Sequence, residues 1–317
     1  TTDNNESFLQ MSQDNFQLSV YDLNGGSGVN LGDELDPVAT AGAKSNPTAT
    51  TEQYQFTTSA ANGVDYLVSY AVNLDAPVNR DKTLNRTRSS IVTAAKSSSV
   101  DYGTAYDHKD ITLGVADVLA VRGVYEGIGG STPLPPSAIL GSVTGLPVKD
   151  EILVGQTSGA RARVIQYNAG AATYFYYTNN FVFADGESVV GQTSNAIATL
   201  GTITTGSDNI TDRYFFDNGQ RDGYYDHAKI TLKPGQPLPN NSILIVFDNF
   251  TSSGGEFYDV NSYSGIDYKE IPVYTPNKVD LGGLEPDGEY ELSDAVDFRP
   301  TVAQLYSAST FSSADPD

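Results

Sequence analysis

Short apolar runs separated by turn-forming residues are the feature that most limits how this chain can fold. The runs include residues 66–72, 116–125 and 242–250, and they are rich in Val, Ile, Leu, Tyr and Phe. Clusters of Gly, Asn, Asp, Ser and Pro interrupt them every ~8 to 15 residues, which is typical of β-sandwiches and small barrels. The run from Ile243 to Phe247 has the length of a strand that is buried on both faces. The pattern therefore predicts an all-β fold.

Amphipathic helical patterns are scarce. A helical turn or two from Asp81 to Lys96, and another from Val302 to Tyr306, stay open as alternatives. No stretch reaches the ~18 consecutive apolar residues of a membrane-spanning helix, so we expect no membrane insertion. The chain does not begin with Met, and its start lacks the basic and apolar regions of a signal peptide. We expect either a processed or excised piece of a longer protein or a chain whose start was trimmed.

The composition argues against several kinds of chemistry. The chain has no Cys, so it contains no disulfide, thiolate nucleophile or cysteine-based metal site. Its 39 acidic and 18 basic residues give a net charge of −21, which disfavours binding to anionic nucleic acid. Walker loops, dinucleotide-binding fingerprints, nucleophile elbows and zinc-protease motifs are missing from the sequence. We therefore predict a protein that is not an enzyme, with no catalytic residues, cofactor, metal site or nucleic-acid partner.

Composition and linker signals divide the chain into four segments. Residues 127–137 and 204–209 are rich in Gly, Pro, Ser and Thr and indicate linkers. The predicted segments are an extended N-terminal arm, a first β-module, a small β-domain and a C-terminal β-module, at residues 1–50, 51–138, 139–206 and 207–317. We expect the two larger modules to be tandem sandwiches, Ig-like or related, with the small domain between them, where it precedes or interrupts the second.

The small β-domain contains an internal repeat. The segment EILVGQTSGARARV, residues 151–164, matches ESVVGQTSNAIATL, residues 187–200. Each copy predicts a strand, a Gly-Gln-Thr-Ser turn and a second strand, and two such hairpins facing each other would form a small barrel or sandwich. We explain the glycines at 155 and 191 by a need for positive φ angles in the turns. We expect the Ser and Thr hydroxyls to form hydrogen bonds with nearby backbone groups.

A second sequence also occurs twice, namely Tyr-Asp-His followed by Ile-Thr-Leu. The copies lie at residues 106–113 and 225–232 and contain both histidines of the chain. Adjacent residues of a strand point to opposite faces, so an Asp and the following His do not converge on one ligand. We interpret both copies as strand starts, with Ile230 and Leu232 in the core. Metal ligation or proton transfer at His227 is the alternative.

The second copy is preceded by a segment that the first copy lacks. Residues 217–226, DNGQRDGYYD, offer several oxygen ligands for calcium, but the spacing of an EF-hand is missing. A turn in which Arg221 pairs with a neighbouring carboxylate is the favoured interpretation. The residues that the copies do not share, Gln220, Arg221 and Asp222, are the predicted interface contacts.

Five segments, taken in order, resemble modular virion structural proteins of tailed bacteriophages, especially contractile-tailed phages of marine cyanobacteria. The segments are VADVLAVRGVYEG, the paired VGQTSGARA, FDNGQRDGYYDHAKITLKPG, VNSYSGIDYKEIPVY and YELSDAVDFRP. The resemblance covers roughly residues 101–302, and it implies a structural subunit of an extended fibre or tail appendage. Such a subunit would be located in the virion or outside the cell. Its partners would be further copies of itself (a homo-oligomer or filament), other virion structural proteins and a host-surface glycan. The resemblance implies no catalytic residues.

Two other classes of function stay open. One is an extracellular adhesin or surface-array module that binds calcium or glycan. The other is a virion-borne polysaccharide depolymerase, which needs a cleft with converging carboxylates. In the structural interpretation, the N-terminal arm docks on a neighbouring subunit as an added strand or a clasp.

Overall fold

The computed structural model divides into two compact units, Thr1–Val78 and Asn79–Asp317. It describes residues 6–8, 16–24, 29–34, 64–74, 77–275, 289–302 and 309–310. Nearly all regular structure in the described residues is β-strand, which confirms the all-β prediction.

The described residues of the first unit form the strands β1 (Glu6–Phe8), β2 (Phe16–Asp22), β3 (Asp65–Tyr70) and β4 (Val72–Leu74). The pairs β2–β3 and β1–β4 are antiparallel. Leu18 and Val20 are buried and alternate with more exposed residues, so β2 has one apolar face. Most of the predicted extended arm, residues 1–50, lies outside the described residues, and its described part includes the paired strand β2.

The described residues of the second unit form sixteen strands. They are β5 (Asp81–Val92), β6 (Asp110–Ala116), β7 (Val118–Glu126), β8 (Ser137–Thr144), β9 (Ile152–Gly155), β10 (Arg161–Gln166), β11 (Ala172–Tyr177), β12 (Ser188–Gly191), β13 (Ile197–Thr204), β14 (Asp208–Asn209), β15 (Tyr214–Asp217), β16 (His227–Leu232), β17 (Ile243–Ser253), β18 (Val273–Tyr274), β19 (Tyr290–Glu291) and β20 (Ser309–Thr310). Three short 3-10 helices accompany them, η1 (Thr211–Arg213), η2 (Val260–Tyr263) and η3 (Tyr268–Glu270).

Two sheets of this unit form a sandwich. One has the strand order β14-β7-β17-β5-β20, and the other has the order β15-β16-β6. Their facing side chains share one apolar core, which includes Val118, Val124, Ile245 and Phe247 from the larger sheet and Leu113 from the smaller one. Burial of this apolar surface supplies the main stabilisation of the sandwich.

The central strand β17 is covered on both faces. Ile243, Ile245 and Phe247 belong to the sandwich core, whereas Leu244 and Val246 pack in a second cluster with Tyr residues of β7 and β11. All five side chains are fully buried. The sequence prediction of a strand buried on both faces is therefore confirmed.

The strands that we assigned to two tandem modules lie in this single sandwich. β5 and β7 both pair with β17, and β6 pairs with β16. The stretch for which a helical turn stayed open, 81–96, contains the strand β5, which pairs with β17 over most of its length. Turn spacing predicts strand lengths but does not specify which distant strands pair.

The helical alternative at Val302 to Tyr306 lies outside the described residues except for Val302.

The small repeated domain is a closed six-stranded barrel with the order β10-β11-β8-β13-β12-β9. It is inserted between β7 and β14, which are neighbours in the larger sheet of the sandwich. The incoming and outgoing connections lie side by side, because Leu134 and Ser207 exchange hydrogen bonds of 2.9 and 2.8 Å. Tyr174 and Tyr176 of β11 pack against Leu244 and Val246, so the barrel covers the outer face of the sheet.

Candidate functional site

The barrel contains a buried carboxylate in each copy of its repeat. Glu187 accepts hydrogen bonds from the backbone nitrogens of Thr157 and Ser158, both at 3.1 Å, and from Ser158 Oγ at 2.8 Å. It also accepts one from Ala184 N at 2.7 Å. Burial on its own would raise the pKa of Glu187, but these hydrogen bonds outweigh it and lower the pKa below its usual value.

The other copy repeats the arrangement in the opposite direction. Glu151 accepts from the backbone nitrogens of Thr193 and Ser194 at 3.2 and 3.0 Å, and from Ser194 Oγ at 2.9 Å. It also accepts from Val148 N at 2.6 Å. Each glutamate therefore holds the Gly-Gln-Thr-Ser turn of the other copy, and its acceptor positions are occupied by the fold.

The glycines of these turns are required by space and not by backbone angle. The prediction of positive φ at Gly155 and Gly191 is wrong, because the left-handed residues are Gly159 and Asn195, at φ +69° and +56°. A Cβ atom at Gly155 would lie 2.7 Å from Glu187 Oε2. A Cβ atom at Gly191, the equivalent position of the other copy, would collide with the carboxylate of Glu151.

The serine hydroxyls bind nearby backbone, as we predicted for them. Ser158 Oγ accepts from Ala160 N at 3.1 Å, and Ser194 Oγ accepts from Ala196 N at 3.0 Å. These bonds close the two turns.

The two Tyr-Asp-His copies lead into neighbouring antiparallel strands, which contain their Ile-Thr-Leu residues. β6 and β16 pair so that Ile111 stands opposite Ile230. Ile230 and Leu232 are both buried in the sandwich core, which confirms their predicted positions. The interpretation of the second copy as a strand start is also confirmed, because His227 is the first residue of β16.

The first histidine has a structural role. His108 is buried, and its Nδ1 accepts from Gly103 N at 2.9 Å and from Ala105 N at 3.2 Å, which closes the turn before β6. Within the described residues, no group of three or more His, Asp or Glu side chains is placed to hold a metal ion.

The tyrosine of the second copy, Tyr225, is fully buried and faces a cluster of charges. Lys82 Nζ lies 2.8 Å from Asp117 Oδ2 and donates to the Tyr225 hydroxyl at 3.3 Å. The side chains of Lys82 and Asp117 are 0% and 7% exposed. Burial alone would lower the pKa of Lys82, but the carboxylate of Asp117 outweighs it and raises the pKa. The site therefore favours the charged form of Lys82.

Aromatic rings enclose the ammonium group of Lys82. Its Nζ lies between 4.3 and 5.5 Å from the ring centroids of Tyr225, Phe250, Tyr258 and Tyr263. Cation–π attraction offsets part of the cost of removing this charge from water.

A second buried ion pair joins the cluster from the C-terminal side. Arg299 donates through Nε and Nη2 to the two oxygens of Asp297, at 2.9 and 2.8 Å. The Tyr225 hydroxyl donates to Asp297 Oδ2 at 2.5 Å and accepts from Arg299 Nη2 at 3.2 Å. Burial would raise the pKa of Asp297, but the bonds from Arg299 and Tyr225 outweigh it and lower the pKa.

Backbone pairing binds the same C-terminal segment to the sandwich. Tyr225 N donates to Pro300 O at 2.8 Å, and Val302 N donates back to Tyr225 O at 3.0 Å. On the other side, Tyr258 and Asp297 exchange backbone hydrogen bonds of 2.7 and 2.8 Å. The cluster therefore attaches residues 297–302 to two separate parts of the chain.

The predicted interface residues lie in the turn beside this cluster. Gln220 is buried, and its Oε1 accepts from Arg299 Nη2 at 3.3 Å. Arg221 forms a two-point ion pair with Asp217, with both distances 3.0 Å, which confirms the expected pairing with a neighbouring carboxylate. Gln220 and Arg221 are therefore used within the fold, and only Asp222 faces a surface groove.

The groove has a volume of about 450 Å³. Apart from Asp222 and Gly223 it is lined by Tyr274 and by residues between 290 and 299, among them the exposed side chains of Tyr290, Val296 and Phe298. Among the described residues, none donates a hydrogen bond to Asp222 Oδ1. The groove presents apolar side chains to the surface, and Asp222 Oδ1 is buried in its wall.

Sequence reasoning missed Lys82, Asp117, Asp297 and Arg299 as members of one cluster. One signal was present, because in a strand Lys82 shares a face with Leu84, which packs against an apolar cluster. A lysine in phase with a core residue indicates a buried charge that needs a partner.

No family model, curated protein or solved structure matches this chain. Among the described residues, no helix is both long and apolar enough to span a membrane.

Proposed function

We propose that the chain is a structural subunit of an extended fibre or tail appendage of a bacteriophage virion. Its role is to assemble with itself and with other virion structural proteins, and in an adhesive appendage to contact a host-surface glycan. The protein is located in the virion or outside the cell, and it is not an enzyme.

One observation carries the proposal. Four of the five segments that resemble phage structural modules each place a residue in the buried cluster. These residues come from segments that are far apart in the sequence, and they are Asp117, Tyr225, Tyr263 and the Asp297–Arg299 pair. The residues that carry the resemblance thus hold a module together, as expected for a recurring building block.

The test is negative-stain microscopy of the native 317-residue chain, with light scattering of the same sample. We expect elongated rods, trimers of rods or filaments. A charge of −21 makes subunits repel each other, so assembly should strengthen as salt rises. Compact monomers at every salt and protein concentration would contradict the proposal.

The groove provides a finer test of the predicted interface. Asp222→Lys reverses the charge at the groove, and Asp101→Lys makes the same change at an exposed turn as a control. We expect Asp222→Lys alone to weaken assembly, with melting temperatures unchanged in both variants. Equal assembly of the two variants would remove Asp222 from the interface.

The competing classes predict different results. A calcium-binding adhesin should melt at a higher temperature with calcium than with chelator, whereas we expect no difference. A depolymerase should shorten capsular or cell-wall polysaccharide, and we expect no cleavage. A depolymerase needs two converging carboxylates, and the groove contains Asp222 and Asp297. The carboxylate of Asp297 is already bound by Arg299 and Tyr225 within the fold.

A further inference from the structure

The buried cluster places the ammonium group of Lys82 directly against a carboxyl group, away from water. Lys82 Nζ lies 2.8 Å from Asp117 Oδ2, and the two side chains are 0% and 7% exposed. From this geometry we propose that Lys82 and Asp117 form an intramolecular isopeptide bond. The inference goes beyond the proposed function and does not depend on it.

The backbone holds Asp117 in position for this reaction. Its φ is +54°, a left-handed conformation that only a few per cent of non-glycine residues adopt. The Asp117 carbonyl accepts a hydrogen bond from Phe250 N at 2.9 Å. Asp117 is the single residue between the end of β6 and the start of β7. The carboxyl group is therefore fixed beside Lys82, and little motion is needed to bring the reacting atoms together.

The reaction balances without any co-reactant. One proton passes from the ammonium of Lys82 to the carboxylate of Asp117, which converts the ion pair into an amine and a carboxylic acid. The nitrogen then attacks Cγ, so that a C–N bond forms and a C–O bond breaks. A second nitrogen proton leaves with the hydroxyl as water. Two buried charges become one neutral amide.

The amide product relieves a cost that the ion pair carries. Burying an ion pair carries a large desolvation cost, which the amide no longer bears. The Tyr225 hydroxyl accepts from Lys82 Nζ and donates to Asp297, so it orients the amine and acts as a positioning residue. A cavity of about 260 Å³ lies against Asp117, Thr251 and Ser252, and it has room for the released water.

The other ion pairs of the described residues lack this combination. Asp248 and Asp297 pair with arginines, whose guanidinium groups do not form such amides. The remaining lysine pair, Lys229 with Asp217, is 3.9 Å apart and largely open to solvent. Lys82 and Asp117 thus form the one close lysine–carboxylate pair away from water among the described residues.

The test is the intact mass of the full-length chain under denaturing conditions, followed by peptide mapping. We expect the protein to be lighter than its sequence by one water. We also expect a branched peptide that joins the segment containing Lys82 to the segment containing Asp117. Lys82→Arg keeps the positive charge but does not condense, so this variant should have the full sequence mass.

Two results would overturn the proposal. One is the full sequence mass, with no branched peptide, in wild-type protein that circular dichroism shows to be folded. The other is loss of water that persists in Lys82→Arg, since that indicates cyclisation of an aspartate elsewhere. The wild-type peptide map decides the question even if Lys82→Arg does not fold.

Discussion

The barrel and the sandwich each contain a sequence that occurs twice, but the two repeats are used differently. In the barrel, Glu151 and Glu187 each hold the turn of the other copy, so both copies have the same role. In the sandwich, the copies share only a strand, since Tyr225 enters the ionic cluster whereas Tyr106 packs half-buried against the core. A repeat predicts backbone structure, and the role of each side chain depends on what lies opposite.

The strongest test of this contrast is to remove each glutamate of the barrel. Glu151→Ala and Glu187→Ala should each lower the free energy of unfolding by about 3 kcal/mol, because several buried donors lose their charged acceptor. Urea denaturation of the full chain measures both, with the exposed Glu291→Ala as a control. The symmetry predicts equal losses, and a large loss in only one variant would contradict it.

The tyrosines of the other repeat should respond unequally. Tyr225→Phe removes a hydroxyl that contacts Lys82, Asp297 and Arg299, and it should cost about 2 kcal/mol. Tyr106→Phe should cost less than about 0.5 kcal/mol, as for most half-exposed sites. The same denaturation experiment compares the two, and similar costs would mean that this repeat is also symmetric.

The glycines test why the barrel turns are built as they are. Gly155→Ala should cost about 1.5 kcal/mol, because the new methyl group displaces the carboxylate of Glu187. In a Glu187→Ala background the same substitution should cost less, and the remaining cost comes from Ser158 Oγ, which lies 2.6 Å from the new Cβ. A double-mutant cycle measures this coupling. Additive effects would show that the carboxylate is not the reason for the glycine.

Acid should weaken both regions through their carboxylates. The pKa values of Glu187 and Asp297 are lower in the folded state than in the unfolded chain. The unfolded state therefore binds more protons as the pH falls through ~4, and stability that is complete at higher pH is lost. Glu187→Gln should flatten the pH dependence of the barrel's melting temperature between pH 5 and pH 3. An unchanged slope would show that Glu187 does not contribute to it.

Local sequence patterns predicted the features that local physics determines. The run from Ile243 to Phe247 indicated a doubly covered strand, and Ile230 and Leu232 were placed in the core, because side-chain periodicity follows burial. The repeated hairpins indicated the barrel, because each copy contains its own turn.

What the sequence left undetermined depends on distant contacts. Gly155 is needed because Glu187, from the other copy, occupies the space where a Cβ would lie. Lys82 lies in a polar stretch, and its partners Asp117 and Tyr225 come from other parts of the chain. The pairing of β5 and β7 with β17 likewise joins segments on both sides of the barrel. No local pattern specifies such pairs.

The central claim is that the repeated motifs hold the fold together. Hydrogen–deuterium exchange of the full chain tests it most directly, because the key amides lie in loops. We predict that the amides of Thr157, Ser158, Thr193 and Ser194 are protected as strongly as those of the adjacent strands, since they donate to buried carboxylates. Exchange at the rate of open loops would contradict the claim.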